Sequence, residues 1–289
     1  MVCLMRVLEA IAQILKLEGA EYLCCYPTTG LIDAAAEVGI RPIVCRQERV
    51  GVGIADGFTR TSGGRRLGVF AMQFGPGVEN AMAGIATAYA DSVPLLLLPL
   101  GHAVARAQIF PLFSSLRSLA TLTKSVESLV AADQTTDVMR RAVAALRSGR
   151  PGPVAVEIPV DLADAPFGFE PLDYRAVVGV RSQGDPTAVD RATEAIGKAQ
   201  RPVIIAGQGV LYSDACAELR ELSERLGIPV MTSLEGKSAF PESHPLSLGT
   251  GGRVMTGPHS ERAWDWPWAP SLRSRRGSAS TSWATQHSE

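Results

Sequence analysis

A chain of 289 residues is long enough for two ordinary domains, and 46% apolar with 20% charged residues describes a globular protein with a real core. A net charge of −1 supplies no field for holding nucleic acid or an anionic membrane surface, and no apolar run reaches the ~18 residues that span a bilayer. Five cysteines without C-x-x-C spacing and four scattered histidines give neither a disulfide framework nor a metal-ligand pattern.

Leu4, Val7, Leu8, Ile11 and Leu15 recur at helical spacing, with Gly19 as the stop. Glu9 and Glu18 inside this pattern argue against a signal peptide, and with the reduced-looking thiols they point to a cytoplasmic protein. Tyr22 to Tyr26 reads as a short strand, followed by the turn Pro27-Thr28-Thr29-Gly30 and a helix from Leu31 to Val38, which Thr28 or Thr29 could cap. Pro42 to Arg46 is the next strand. It delivers Glu48 to the head of a small-residue helix through Val50, Ile54, Gly57 and Phe58.

A third strand, Leu67 to Met72, runs into Gln73-Phe74-Gly75-Pro76-Gly77 and a helix from Val78 to Ala90. The strand Leu95 to Leu100 follows. Strands alternating with helices at this density predict an α/β fold with a parallel sheet covered on both faces. Two successive strand-to-helix turns, one bearing a carboxylate and one a bare glycine backbone, predict a ligand crevice at the carboxyl ends of the strands. Gly101 to Leu119 lacks periodicity and reads as a long loop. Asp133 to Arg147 is an amphipathic helix with Val138, Met139, Val143 and Leu146 on one face, and Val154 to Ile158 is a buried strand.

Residues 166–187 read as an interdomain linker, the stretch Ala163 to Pro186 being rich in proline, glycine and charge. A helix from Ala188 to Ala199, a strand from Val203 to Ala206, the turn Gly207-Gln208-Gly209, a helix from Asp214 to Leu226 and a strand from Pro229 to Thr232 make a second βαβ unit over 188–252. Tyr212 occupies the third glycine position of a dinucleotide fingerprint, and no acidic residue ends the next strand. An NAD-dependent oxidoreductase is therefore the weaker reading of that turn. From Arg253 to Glu289 the composition changes abruptly: Trp264, Trp266, Trp268 and Trp283 all fall there among serines and arginines. No helical or strand period continues, and the stretch is expected to be an irregular tail, of the kind a change of reading frame would produce.

Three motifs in order, Ala55-Asp56-Gly57-Phe58-Thr59-Arg60, Gly75-Pro76-Gly77-Val78-Glu79-Asn80 and the run from Gly84 to Pro94, resemble the thiamine diphosphate-dependent enzymes of the acetolactate synthase-like branch. The resemblance covers about residues 1–252. It implies a pyrimidine-binding domain over 1–165, part of a Rossmann-like central domain over 188–252, and decarboxylation or carboligation of a 2-keto acid. It also implies a homodimer whose active site forms between two subunits.

By this resemblance Glu48 is the catalytic carboxylate that hydrogen-bonds the aminopyrimidine ring and promotes its imino tautomer. Seated behind Val44 and Cys45 it would be partly desolvated, which favours the protonated, donating form. A solvated carboxylate complementing a helix dipole is the plain alternative. Gly75, Pro76, Gly77, Asn80, Gln73, Phe74 and Thr28 are the expected cofactor contacts, whereas Asp56 and Asp91 are read as structural. Gln47 and Arg49 flank the glutamate where the branch commonly has His and Gln, so the substrate stays open.

The family holds the diphosphate and Mg²⁺ through a G-D-G motif and a later asparagine, neither of which occurs in these 289 residues. Only the pyrimidine half of the cofactor is expected here. The isolated chain is expected to be inactive, or to be a non-catalytic subunit needing a partner that supplies the diphosphate domain. Whether a flavin (FAD) is held is left open.

Overall fold

The computed structural model describes residues 4–27, 29–107, 109–169, 172–180 and 182–251. Thr28 and the tail from Arg253 lie outside them. The chain divides into two compact units, one ending at Ser182 and one beginning at Gln183.

In the first unit β1 (Leu4–Arg6) leads into α1 (Val7–Leu17), β2 (Tyr22–Cys25), α2 (Leu31–Glu37), β3 (Arg41–Val44), α3 (Glu48–Thr61), β4 (Gly68–Met72), α4 (Pro76–Ala90) and β5 (Leu95–Gly101). Then come α5 (Ser115–Leu119), β6 (Ser125–Ser128), α6 (Thr135–Arg147), β7 (Val154–Pro159), α7 (Val160–Ala163) and β8 (Pro166–Phe169). Six strands form a parallel sheet in the order β3-β2-β4-β5-β7-β6. Side chains alternate across a strand, so both faces need cover. Leu23, Cys25, Val69, Ala71, Leu96 and Leu98 pack on one face with α1, α2 and α6. Cys24, Phe70, Met72, Leu95 and Leu97 pack on the other with α3, α4 and α5. Burial pushes the Cys24 thiol up to about 12 and Cys25 up to about 11, which makes both inert packing groups.

Several expectations change here. Leu4 to Arg6 is a strand rather than helix, because it pairs antiparallel with β8, and the helix starts at Val7. That partner strand lies in the stretch read as linker, and Tyr174 beyond it is buried. Its hydroxyl and the Val177 N–H donate to Glu18 at 2.5 and 2.9 Å, and Arg147 of α6 pairs with the same carboxylate. The early part of the linker is thus fastened to the first unit. The segment 115–119, expected as loop, is helical and capped by Ser114, and β6 adds a parallel edge strand. The outer edges are β3, carrying Pro42, and β6, where Glu127 pairs with Arg141.

In the second unit α8 (Pro186–Lys198) precedes β9 (Ile204–Ala206), α9 (Gly209–Tyr212), α10 (Cys216–Leu226), β10 (Val230–Thr232) and β11 (Ser247–Thr250). The three strands are parallel in the order β11-β10-β9. Ala206, Leu219, Val230, Ala239 and Phe240 form its core. Asp185 caps α8 by accepting from the Ala188 N–H at 2.8 Å, and α10 stops at Gly227 in the left-handed region.

Candidate functional site

Glu48 is the first residue of α3, directly after the extended residue Gln47. A carboxylate there meets free helix N–H groups, a favourable place for negative charge. It is nevertheless only 5% exposed. Cys45, 7% exposed, belongs to its apolar surroundings, whereas Val44 is 59% exposed. The expected wall is therefore half present: strand alternation turns Val44 outward. One carboxylate oxygen, Oε2, accepts from Asn80 Nδ2 of α4 at 2.5 Å. The other, Oε1, lies 3.4 Å from the position a Cβ on Gly77 would take, and that same Cβ would come within 2.7 Å of Gln73 Cγ. Position 77 tolerates no side chain without displacing Gln73.

The turn holding these groups together is Gly75-Pro76-Gly77. Gly75 has φ +62°, a backbone L-residues rarely adopt, and Pro76 sits in the first turn of α4, where its missing N–H costs nothing. A Cβ on Gly75 would meet nothing within 4 Å, so the space beside the turn is open. Glu48, Gln73, Gly77 and Asn80 are thus brought together at the carboxyl ends of β3 and β4.

Phe74 turns away from that group. Its ring lies 4.6 Å from the ring of His102, which follows the end of β5. His102 is absent from the sequence-derived set because a single histidine in an aperiodic stretch carries no pattern. The available signal was its place: one residue past a strand end, beside the strand that delivers Phe74. Thr28 lies outside the described residues; its neighbour Thr29 accepts from the Leu31 N–H at 3.0 Å at the head of α2, whose N-cap residue is Gly30.

Asp56 and Asp91 are structural. Arg60 Nε pairs with Asp56 one turn earlier on α3, and Arg60 Nη2 reaches Asp91 at the end of α4 at 2.7 Å. Glu157 of β7 is a further buried carboxylate, 6% exposed, accepting from Ser128 Oγ at 3.1 Å.

Other openings lack this combination. A cavity of about 550 Å³ opens at the amino ends of β6 and β7 and is lined by Tyr89, Lys124, Ser148 and Arg150. Burial lowers the Lys124 pKa, and its ammonium donates to the Ala145 carbonyl at 2.5 Å and to the Ser148 carbonyl, closing the end of α6. In the second unit the turn after β9 is crowded by chain: a Cβ on Gly236 would fall 2.8 Å from the Gly207 carbonyl carbon. Among the described residues no cluster of three potential metal ligands occurs, and no helix is long and apolar enough to cross a membrane.

Comparison with known proteins adds two family matches. Residues 5–125 match "Thiamine pyrophosphate enzyme, N-terminal TPP binding domain", and residues 189–265 match "Thiamine pyrophosphate enzyme, central domain". The chain is 35% identical over 266 residues to the "Probable acetolactate synthase large subunit" of Methanocaldococcus jannaschii, covering 88% of this chain and 44% of that protein. It is 34% identical over 264 residues to the "Acetolactate synthase" of Arthrospira platensis, covering 86% and 45%. A solved "thiamin diphosphate-dependent enzyme isolated from Mycobacterium smegmatis" shares the fold, with a TM-score of 0.74 at 23% identity over 85% of this chain and 48% of the other. The chain thus spans less than half the length of these relatives.

Proposed function

Since this chain belongs to the thiamine pyrophosphate enzyme family, we propose that its first unit holds the aminopyrimidine half of thiamine diphosphate, with Glu48 as the catalytic carboxylate. The observation that carries this reading is a buried acid with a neutral partner on one oxygen, beside an open glycine turn. A planar heterocycle with ring nitrogens and an exocyclic amine fits such a place, where backbone rather than side chain meets the ring.

When bound, the cofactor supplies a thiazolium carbon that adds to a 2-keto acid and takes up the electrons released on decarboxylation. Glu48, with Oε2 held by Asn80, offers Oε1 to a ring nitrogen and holds the shared proton. Asn80 fixes the direction of that carboxyl group, and Gln73 packs over Gly77, closing one side. The open space beside the Gly75 backbone leaves room for the ring, and Phe74 lines the side toward β5.

The substrate class is a 2-keto acid, as the names of the relatives suggest. The diphosphate and its Mg²⁺ are held by residues outside this crevice, from a partner subunit of a homodimer or a separate chain. Buried free thiols at Cys24, Cys25 and Cys45 suit a reducing, cytoplasmic setting.

The test is nuclear magnetic resonance of the ¹⁵N-labelled chain with thiamine diphosphate and Mg²⁺. Amide signals of Glu48, Gly75, Gly77 and Asn80 are expected to move, and Glu48→Ala to abolish the movement. Signals moving at Gly207 and Gly209 with NAD, and none at Glu48 with thiamine diphosphate, would overturn the assignment.

A further inference from the structure

Beyond the crevice around Glu48, the carboxyl ends of the sheet also carry the imidazole of His102. β4 and β5 are neighbours paired from Gly68 and Leu95 through Met72 and Pro99, so the residues that follow them emerge side by side. Phe74 follows β4 and His102 follows β5, and their rings meet at 4.6 Å with planes tilted by 48°. The stacking fixes the imidazole against the same turn that carries Gly75. His102 is half-buried, and among the described residues neither ring nitrogen has a hydrogen-bond partner in the protein. Both nitrogens of a ring already immobilised by packing are therefore available to something else.

The next strand explains why His102 is the group on offer. A Cβ on Gly101 would come within 2.6 Å of Glu157 Cγ, so the end of β5 lies directly on the Glu157 side chain. Glu157 is covered and tied to Ser128, whereas His102 stays accessible one residue further on. Phe74 stands between the two functions: its backbone belongs to the glycine turn beside Glu48, and its ring is the platform for His102.

We infer that His102 is a binding residue for the 2-keto acid, donating a ring N–H hydrogen bond to a carboxylate or keto oxygen of the substrate on the Phe74 side of the crevice. This rests on the cofactor assignment above. A donor on a rigid platform loses little freedom on binding, and it rejects ligands that lack an oxygen at that point.

The test uses the full chain labelled with ¹⁵N in its histidine rings, the His102 signals being identified by their loss in His102→Gln. Pyruvate is titrated in the presence of thiamine diphosphate and Mg²⁺, and amides near Glu48 are followed separately. The expected result is a saturable shift of the His102 ring signals with pyruvate. His102→Ala should weaken pyruvate binding about tenfold or more while leaving the thiamine diphosphate-induced shifts of Glu48 and Gly77 intact, tenfold being ~1.4 kcal/mol, near the low end of a hydrogen bond to a charged group. Ring signals that ignore pyruvate while the Glu48 amides respond to the cofactor would overturn the His102 role and leave the cofactor assignment standing. Glu48 amides that ignore thiamine diphosphate would overturn the cofactor assignment and the His102 role with it.

Discussion

The two units treat buried polarity differently. Among the described residues the first unit buries four carboxylates, Glu18, Glu48, Asp56 and Glu157, whereas the buried polar side chains of the second are Ser223 and Thr232. A buried carboxylate is costly unless a cation or several donors compensate it. Glu18 has Arg147, the Tyr174 hydroxyl and the Val177 N–H, and Asp56 has Arg60. Glu48 and Glu157 have one neutral donor each, Asn80 and Ser128. The two compensated acids lie at helix turns and linker anchors, and the two poorly compensated ones at the carboxyl ends of strands. The lesson is that the partner of a buried acid, more than its burial, separates scaffolding from a candidate for chemistry.

That contrast can be broken by substitution, and the largest effect is expected at Glu18. Glu18→Ala strands a buried hydroxyl, an N–H and a guanidinium, and should cost about 3 kcal/mol in urea unfolding of the first unit, the low end for such a loss because Arg147 is 31% exposed. Arg60→Met, which leaves Asp56 and Asp91 without their shared cation, should cost about 2 kcal/mol, again discounted for an Arg60 side chain 30% exposed.

Alkaline titration sharpens the same cluster. Burial, then the Glu18 hydrogen bond and charge, push the Tyr174 hydroxyl well above its ordinary value of 10. The folded state thus keeps a proton that the unfolded state loses. Stability from this group is full below about pH 10 and falls as pH rises beyond it. Tyr174→Phe should flatten that part of the pH–stability curve.

The smallest effect on folding is expected where the largest effect on ligand is. Glu48→Gln keeps the shape and an acceptor for Asn80, so unfolding should change by less than about 1 kcal/mol, while thiamine diphosphate no longer moves the Glu48 and Gly77 amides. Loss of stability at Glu48 equal to that at Glu18 would remove the distinction between the two kinds of acid.

Much of this was legible in the residues. The strands expected over Tyr22 to Tyr26, Pro42 to Arg46 and Leu67 to Met72 form within a residue or two of those ends, and the glycine turn at Gly75 and the helix face of Val138, Met139, Val143 and Leu146 likewise follow from local patterns. The antiparallel pair β1 and β8 was not legible, because three residues gain strand character only from a partner some hundred and sixty positions away. β6, with the sequence S-V-E-S, is an edge strand whose polar residues carry no apolar run. The motif marks Asn80 as a cofactor contact but not as a partner of Glu48; that bond depends on two helices meeting, as the His102 stack depends on two strands lying side by side.

A free strand edge is a template on which another polypeptide can add itself, and repeated addition ends in fibres. Pro42 deprives one border of an amide donor, and the ion pair of Glu127 with Arg141 charges the opposite one. Both margins are thereby made unattractive to uninvited neighbours during folding at high concentration. Replacing Pro42 by valine should therefore show itself as turbidity on refolding before any change in ligand binding.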